Sequence, residues 1–215
     1  MNDWNALYKS GKQMSIFPFS DLVSFVYRYT APFEGMKVLD LGCGAGANIP
    51  LFKHLGADYH AIEQSEVIVE SLIKRYPELK GKIVIGDFTK PFVYPYQFDL
   101  VVDRSSVTHN TTADIKSCLA WVYDSMKIGA EYIGIDWFSE GHNGYYDHTE
   151  VLDEHTFGGF KVGVFKGLGK VHFSTEEHIR ELFKDFQIEE IEHKIVEKVD
   201  GKRYSTYNFL AEKQA

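Results

Sequence analysis

The sequence predicts an α/β fold: a seven-stranded, mostly parallel sheet with helices on both faces and a terminal antiparallel hairpin. Three observations predict it. Short apolar runs alternate with stretches of helical spacing between residues 37 and 137. A glycine cluster, Gly42-Cys43-Gly44-Ala45-Gly46, follows the first apolar run. The chain closes on two β-type runs joined by Asp200-Gly201, a strong hairpin signal.

The elements follow in order. Asp3 to Ser10 reads as a short helix carrying Trp4, Leu7 and Tyr8 on one face. A second helix follows Ser20-Asp21 as its N-cap, with apolar residues at 22, 23, 25, 26 and 29, and Pro32 stops it. Strands are expected at 37–41, 59–62, 82–85, 98–102 and 131–137. Helices are expected at 47–55 with Gly56 at its C-terminus, at 65–76 capped by Ser65, and at 112–126. Ser174-Thr175-Glu176-Glu177 reads as a capping box opening the last helix, before strands at 188–196 and 204–211. Residues 137–172 break this rhythm: seven glycines and many aromatics, with no sustained period. A loop this long inside a compact domain is usually functional. The chain therefore reads as one domain over 1–215, with an N-terminal helical cap over 1–33 and a lid-like insertion over 137–172.

The bulk numbers narrow the function. A formal net charge of -8 repels phosphate backbones, and the mixed-sign run from Lys194 to Arg203 forms no basic groove, so nucleic acid is not an expected partner. Cys43 and Cys118 lack metal-binding spacing and read as reduced thiols of a cytoplasmic protein. The N-terminus shows no basic-then-apolar leader, and no apolar stretch has the ~20 residues that span a bilayer, so no membrane association is expected. Nothing in the composition opposes a homodimer.

The glycine loop is the chemical centre. Between a strand and a helix, glycines let the backbone turn tightly and let a ligand approach. Gly42, Gly44 and Ala47 also satisfy the dinucleotide pattern G-x-G-x-x-A, so an NAD(P)-dependent oxidoreductase stays open at this point. Two features favour a different ligand. Asp40, two residues before the first glycine, would repel a pyrophosphate but suit a cationic one. A reversed terminal hairpin does not belong to a second dinucleotide-binding half. Glu63, about 20 residues on, suits a ribose diol in either case.

The set Val38 to Gly46, Ala61-Ile62-Glu63, Gly86-Asp87-Phe88 and Phe98-Asp99-Leu100-Val101 resembles the class I S-adenosylmethionine-dependent methyltransferases, over roughly residues 35–136 and again at the hairpin. The resemblance implies a Rossmann-like fold and S-adenosyl-L-methionine as cofactor. It implies that Gly42, Cys43 and Gly44 wrap the cofactor, with Asp40 beneath its methionine portion. Glu63, with Gln64 beside it, would hold the ribose hydroxyls. Asp87 would take the adenine amino group, with Phe88 against the ring. Tyr8 and Asp103 complete the expected cofactor set.

Acceptor chemistry is expected past the fourth and fifth strands. The segment Asp103-Arg104-Ser105-Ser106-Val107-Thr108-His109-Asn110 departs from the Asn/Asp-Pro-Pro-aromatic motif of enzymes that methylate bases in nucleic acids. His109 is the expected base or substrate ligand, because its ordinary pKa suits proton removal near neutrality. Asp103 is the second candidate catalytic residue, and Arg104 has the fork that grips a carboxylate or phosphate. Four histidines at 142, 148, 155 and 172, with Asp147 and Asp153, match no standard metal-ligand spacing, so no metal is expected. The leading reading is methyl transfer to an O or N atom of a small polar acceptor, sugars and glycan precursors among the types that fit. The alternatives are the NAD(P) enzyme and a non-catalytic S-adenosylmethionine-binding protein.

Overall fold

A computed structural model describes residues 4–30 and 32–215. Its elements are α1 (Trp4–Lys9), α2 (Ser20–Tyr29), β1 (Lys37–Leu41), α3 (Ile49–His54), β2 (Asp58–Glu63), α4 (Glu66–Arg75), β3 (Ile83–Ile85), β4 (Phe98–Arg104), α5 (Thr112–Ser125) and β5 (Met126–Phe138). They continue through β6 (Glu150–Val151), β7 (Thr156–Gly158), β8 (Val171–His172), α6 (Glu176–Leu182), β9 (Phe186–Glu197) and β10 (Arg203–Lys213). The main sheet has seven strands in the order β3-β2-β1-β4-β5-β10-β9. β10 pairs antiparallel with both neighbours, so it is the one reversed strand of this sheet. This is the Rossmann-like architecture expected from the alternating pattern and the Asp-Gly hairpin.

Strand alternation divides the core. Leu39 and Leu41 of β1 and Val101 of β4 pack with Ile115, Cys118, Leu119 and Val122 of α5 and with Ile179 and Leu182 of α6. Val38, Leu100 and Val102 face the other way, onto Phe25 of α2, Phe52 of α3, and Ile68 and Leu72 of α4. Period two therefore sends Asp40 to the α3–α4 face and Asp103 to the α5 face. Parallel pairing of Leu41 with Ile62 and Asp103, and of Glu63 with Ile85, brings the carboxyl ends of β1 to β4 to one sheet edge.

Local signals explain most boundaries. Ser65 caps α4 by accepting the Ile68 N–H, and Thr111 caps α5 by accepting the Asp114 N–H. Gly56, at φ +73°, ends α3 in the left-handed conformation. Four expectations are corrected. Ser20 is the first residue of α2 rather than its cap; the N-cap is Phe19, without a side-chain bond. The cap of α6 is Thr175, whose hydroxyl accepts the His178 N–H, while Ser174 sits in a β-bridge with Ser139. β5 begins five residues early, at Met126, because α5 runs directly into it and a register shift against β4 absorbs the irregular start. The 137–172 insertion is not without secondary structure. It carries the three-stranded sheet β6-β7-β8 over its own core of Phe157, Phe160, Phe165, Leu168, Val171 and Phe173. The expected start of α1 at Asp3 lies outside the described residues.

Candidate active site

A cavity of about 460 Å³ opens at the carboxyl edge of the sheet. The glycine loop forms its floor. Gly42 and Gly46 have φ of +68° and +82°, a conformation that favours glycine, and a Cβ on Gly42 would stand 2.6 Å from that of Ser106. The Ser106 hydroxyl packs against the Leu41 carbonyl, so the loop after β4 buttresses the loop after β1.

The acids sort into three environments. Asp40 is buried and lines the cavity, and its Oδ2 accepts from Tyr59 Oη at 2.8 Å and Asn48 Nδ2 at 3.1 Å. Burial pushes its carboxyl up to about 7, against those two hydrogen bonds. Glu63 is also buried and lines the cavity; its two oxygens accept the backbone N–H groups of Gly44 and Ser65, both at 2.9 Å. Burial raises its pKa too. Asp87 lines the cavity beside Phe88 and accepts from the Thr89 N–H and hydroxyl, which fixes the turn. The Phe88 carbonyl accepts the Trp121 indole N–H at 2.8 Å. Cys43, Gly44, the exposed Gln64 and Tyr8 complete the expected set along the wall, and the Tyr8 hydroxyl stands over Gly44.

Asp103 is the exception. It is fully buried and does not line the cavity. Its Oδ1 accepts the Ser106 and Val107 N–H groups at 3.0 Å each and the Ser106 hydroxyl, and its Oδ2 accepts the Trp137 indole N–H at 2.7 Å. It shapes the loop after β4 from below and is not positioned to touch a ligand. Arg104 pairs not with Asp103 but with Asp136, through Nε and one terminal nitrogen to the same Oδ2, at 2.9 and 2.8 Å.

His109 lines the cavity, buried between Trp4 and Phe138, with Nδ1 3.0 Å from the Lys170 carbonyl. Burial pulls its pKa down to about 4. Phe138, His142, Val164, Phe165 and Leu168 bring the insertion over this end. Three other histidines gather elsewhere. His155 stacks on His178 at 3.5 Å, and His172 Nε2 lies 3.2 Å from His178 Nε2. Among the described residues no group of three His, Cys, Asp or Glu is placed to hold a metal ion.

Residues 38–129 match a family model described as a methyltransferase domain. That stretch contains the glycine loop, Glu63, Asp87 and His109. Over that stretch the chain is similar to a methyltransferase domain, in keeping with the class I S-adenosylmethionine-dependent resemblance carried by the same residues. The resemblance is to a family whose cofactor is S-adenosyl-L-methionine. An 84-residue segment, 38% of this chain, is 34% identical to magnesium-protoporphyrin O-methyltransferase of Rhodobacter capsulatus, and spans 37% of that enzyme's length. The fold is similar to that of an S-adenosylmethionine-dependent methyltransferase from Methanosarcina mazei (TM-score 0.68, 17% identity, 92% of this chain and 99% of that one). It is likewise similar to phosphoethanolamine N-methyltransferase 2 of Haemonchus contortus (TM-score 0.68, 16% identity, 99% of this chain and 57% of that one).

Sequence reading missed part of the cavity wall. Gln13, Ser15 and Phe19 come from the N-terminal segment, Asp136 from the end of β5, and Lys194, Val196, Tyr204 and Thr206 from the hairpin. Strand alternation marks one face of β9 and β10 as a unit, but nothing local says that this face meets a cavity.

Proposed function

We propose that this chain transfers a methyl group from S-adenosylmethionine to an O or N atom of a small, polar, non-nucleic acceptor. One observation carries the reading: a single cavity joins the glycine loop and its acids to His109, Arg104 and Asp136 under the insertion. The residues suit the cofactor. Glu63 is a buried acceptor at the loop, the chemistry a ribose diol needs, and its bonds to two backbone N–H groups hold it there. Asp40 offers a negative group to a cation. Asp87 and Phe88 offer an acceptor and a ring face to a base. The bound sulfonium supplies an electrophilic methyl group. The protein aligns the acceptor with it, excludes water with the aromatic insertion, and takes up the acceptor's proton at His109.

In this reading residues 1–33 cap the cofactor end and 137–172 form the acceptor lid of one domain. Sugars and glycan precursors are candidate acceptors. The acidic net charge opposes a nucleic-acid substrate. The two free, buried cysteines suit the cytoplasm.

Calorimetry tests the cofactor first. Micromolar binding of S-adenosylhomocysteine without NAD(P) binding is expected, and the reverse result overturns the reading. A panel of hydroxyl and amine acceptors, followed by release of S-adenosylhomocysteine, then tests transfer. Binding without turnover across a broad panel would instead favour a non-catalytic binding protein.

A further inference from the structure

The charges lining the cavity are not evenly spread. Asp40, Glu63 and Asp87 sit at the glycine-loop end. The cations of the lining, Arg104 and Lys194, stand at the other end with Asp136. Asp136 offsets Arg104 from within the lining and Asp21 offsets Lys194 from outside it, so these are the cations that face the cavity, in a protein whose overall charge is -8. A molecule with an anionic group is repelled by the acids of the first end and finds cationic donors only at the second.

The cations are held for use. Arg104 donates Nε and one terminal nitrogen to Asp136 Oδ2, and its guanidinium lies 3.7 Å from the Phe19 ring centre. Its other terminal nitrogen has no protein partner among the described residues. Lys194, at the half-exposed rim, is paired from outside the cavity by Asp21. The backbone around Arg104 is strained. Ser105 and Asp136 take left-handed φ of +54° and +57°, rare for residues with a Cβ. They are tied together by Ser105 Oγ donating to the Asp136 carbonyl at 3.0 Å, and the Asp136 N–H donates to Asn208 Oδ1 at 2.9 Å. Strain of this kind persists only where several bonds fix it, and here it aims one ion pair at the cavity.

We infer that the acceptor carries an anionic group, a carboxylate or a phosphate, which Arg104 binds through its free terminal nitrogen with Lys194 as the second contact. The inference rests on the methyltransferase reading and adds the substrate class. An acceptor held this way presents its hydroxyl or amine toward His109 and the glycine loop, because its charged end cannot approach the acids there. The two cations orient the acceptor, and the chemistry is left to the other end.

The test is calorimetry on the full chain saturated with S-adenosylhomocysteine, at constant ionic strength, with inorganic phosphate and acetate as probes. Saturable millimolar binding of at least one anion is expected, and the stronger one identifies the group. Arg104→Gln should weaken it about ten-fold, the effect of removing a charge-assisted bond, and Lys194→Gln several-fold. No saturable binding of either anion, or unchanged affinity in Arg104→Gln, overturns the inference. Should Arg104→Gln not fold, Lys194→Gln decides alone: weakened binding supports the inference and unchanged binding overturns it. Failure of S-adenosylhomocysteine to bind marks failure of the methyltransferase reading instead.

Discussion

The Nδ1 atom of His109 lies 3.0 Å from the carbonyl oxygen of Lys170. A carbonyl only accepts, so Nδ1 carries the proton and Nε2 keeps its lone pair. One backbone bond from the insertion thus sets the tautomer of the expected base. With its pKa pulled down to about 4, the ring is neutral throughout the physiological range. His109→Gln should lower turnover by about 100-fold or more and leave S-adenosylhomocysteine affinity nearly unchanged. The acid limb of kcat/KM should fall near about pH 4 rather than at the ordinary histidine value near 6.5. A pH–rate profile with its acid limb at the ordinary value would contradict this placement.

The same burial makes stability depend on pH. Between about pH 6.5 and 4 the unfolded chain protonates His109 and the folded chain does not. The contribution is therefore complete above the unfolded pKa and is lost as pH falls toward the folded one. For this group it amounts to about 3 kcal/mol. Thermal melts from about pH 7 to 4 should show a steeper fall for the native chain than for His109→Gln. Parallel curves would show that the ring's burial does not penalise its charge.

The glycine-loop end of the cavity was legible because its residues lie within short segments that each carry their own signal: a strand, a glycine turn, an acid after the next strand. Asp40 and Asp103 show where that legibility stops. Both close apolar strands, but period two sends them to opposite faces, and only the tertiary fold puts Trp137 over Asp103 and the cavity beside Asp40. Asp136 and Lys194 had no local signal, since what makes them part of the wall is pairing across β5, β10 and β9. The insertion hid its small sheet because strands of two and three residues are too short to show a period.

Glu63 holds the Gly44 and Ser65 N–H groups with separate oxygens. Its removal takes away the proposed ribose acceptor and frees the loop it steadies. Glu63→Ala should weaken S-adenosylhomocysteine binding by about 1–3 kcal/mol, read by calorimetry. Unchanged affinity in a folded variant would remove Glu63 from the cofactor site.

Asp103 should behave as a structural residue. Asp103→Ala leaves the indole N–H of Trp137 and the N–H groups of Ser106 and Val107 without their acceptor around a fully buried position. A cost of about 3–5 kcal/mol is expected, seen as a lowered denaturation midpoint. A variant with native stability but lost turnover would return Asp103 to the catalytic set.

Asp40 should show stability and function pulling apart. Its folded pKa, raised to about 7, means that its contribution to stability is fully present below the unfolded value near 4 and is lost as pH rises through the folded value. At about pH 8 the buried carboxylate is charged, with two hydrogen bonds and, among the described residues, no cation paired with it. Asp40→Asn keeps the shape and an oxygen for Tyr59 and removes that charge. It should therefore raise the melting midpoint at about pH 8, by the equivalent of about 1–3 kcal/mol, and have less effect near about pH 5. The same change removes the negative group offered to the cationic end of S-adenosylmethionine, so affinity should fall while stability rises. A variant that loses stability at the higher pH would show that the charge is compensated in the folded chain.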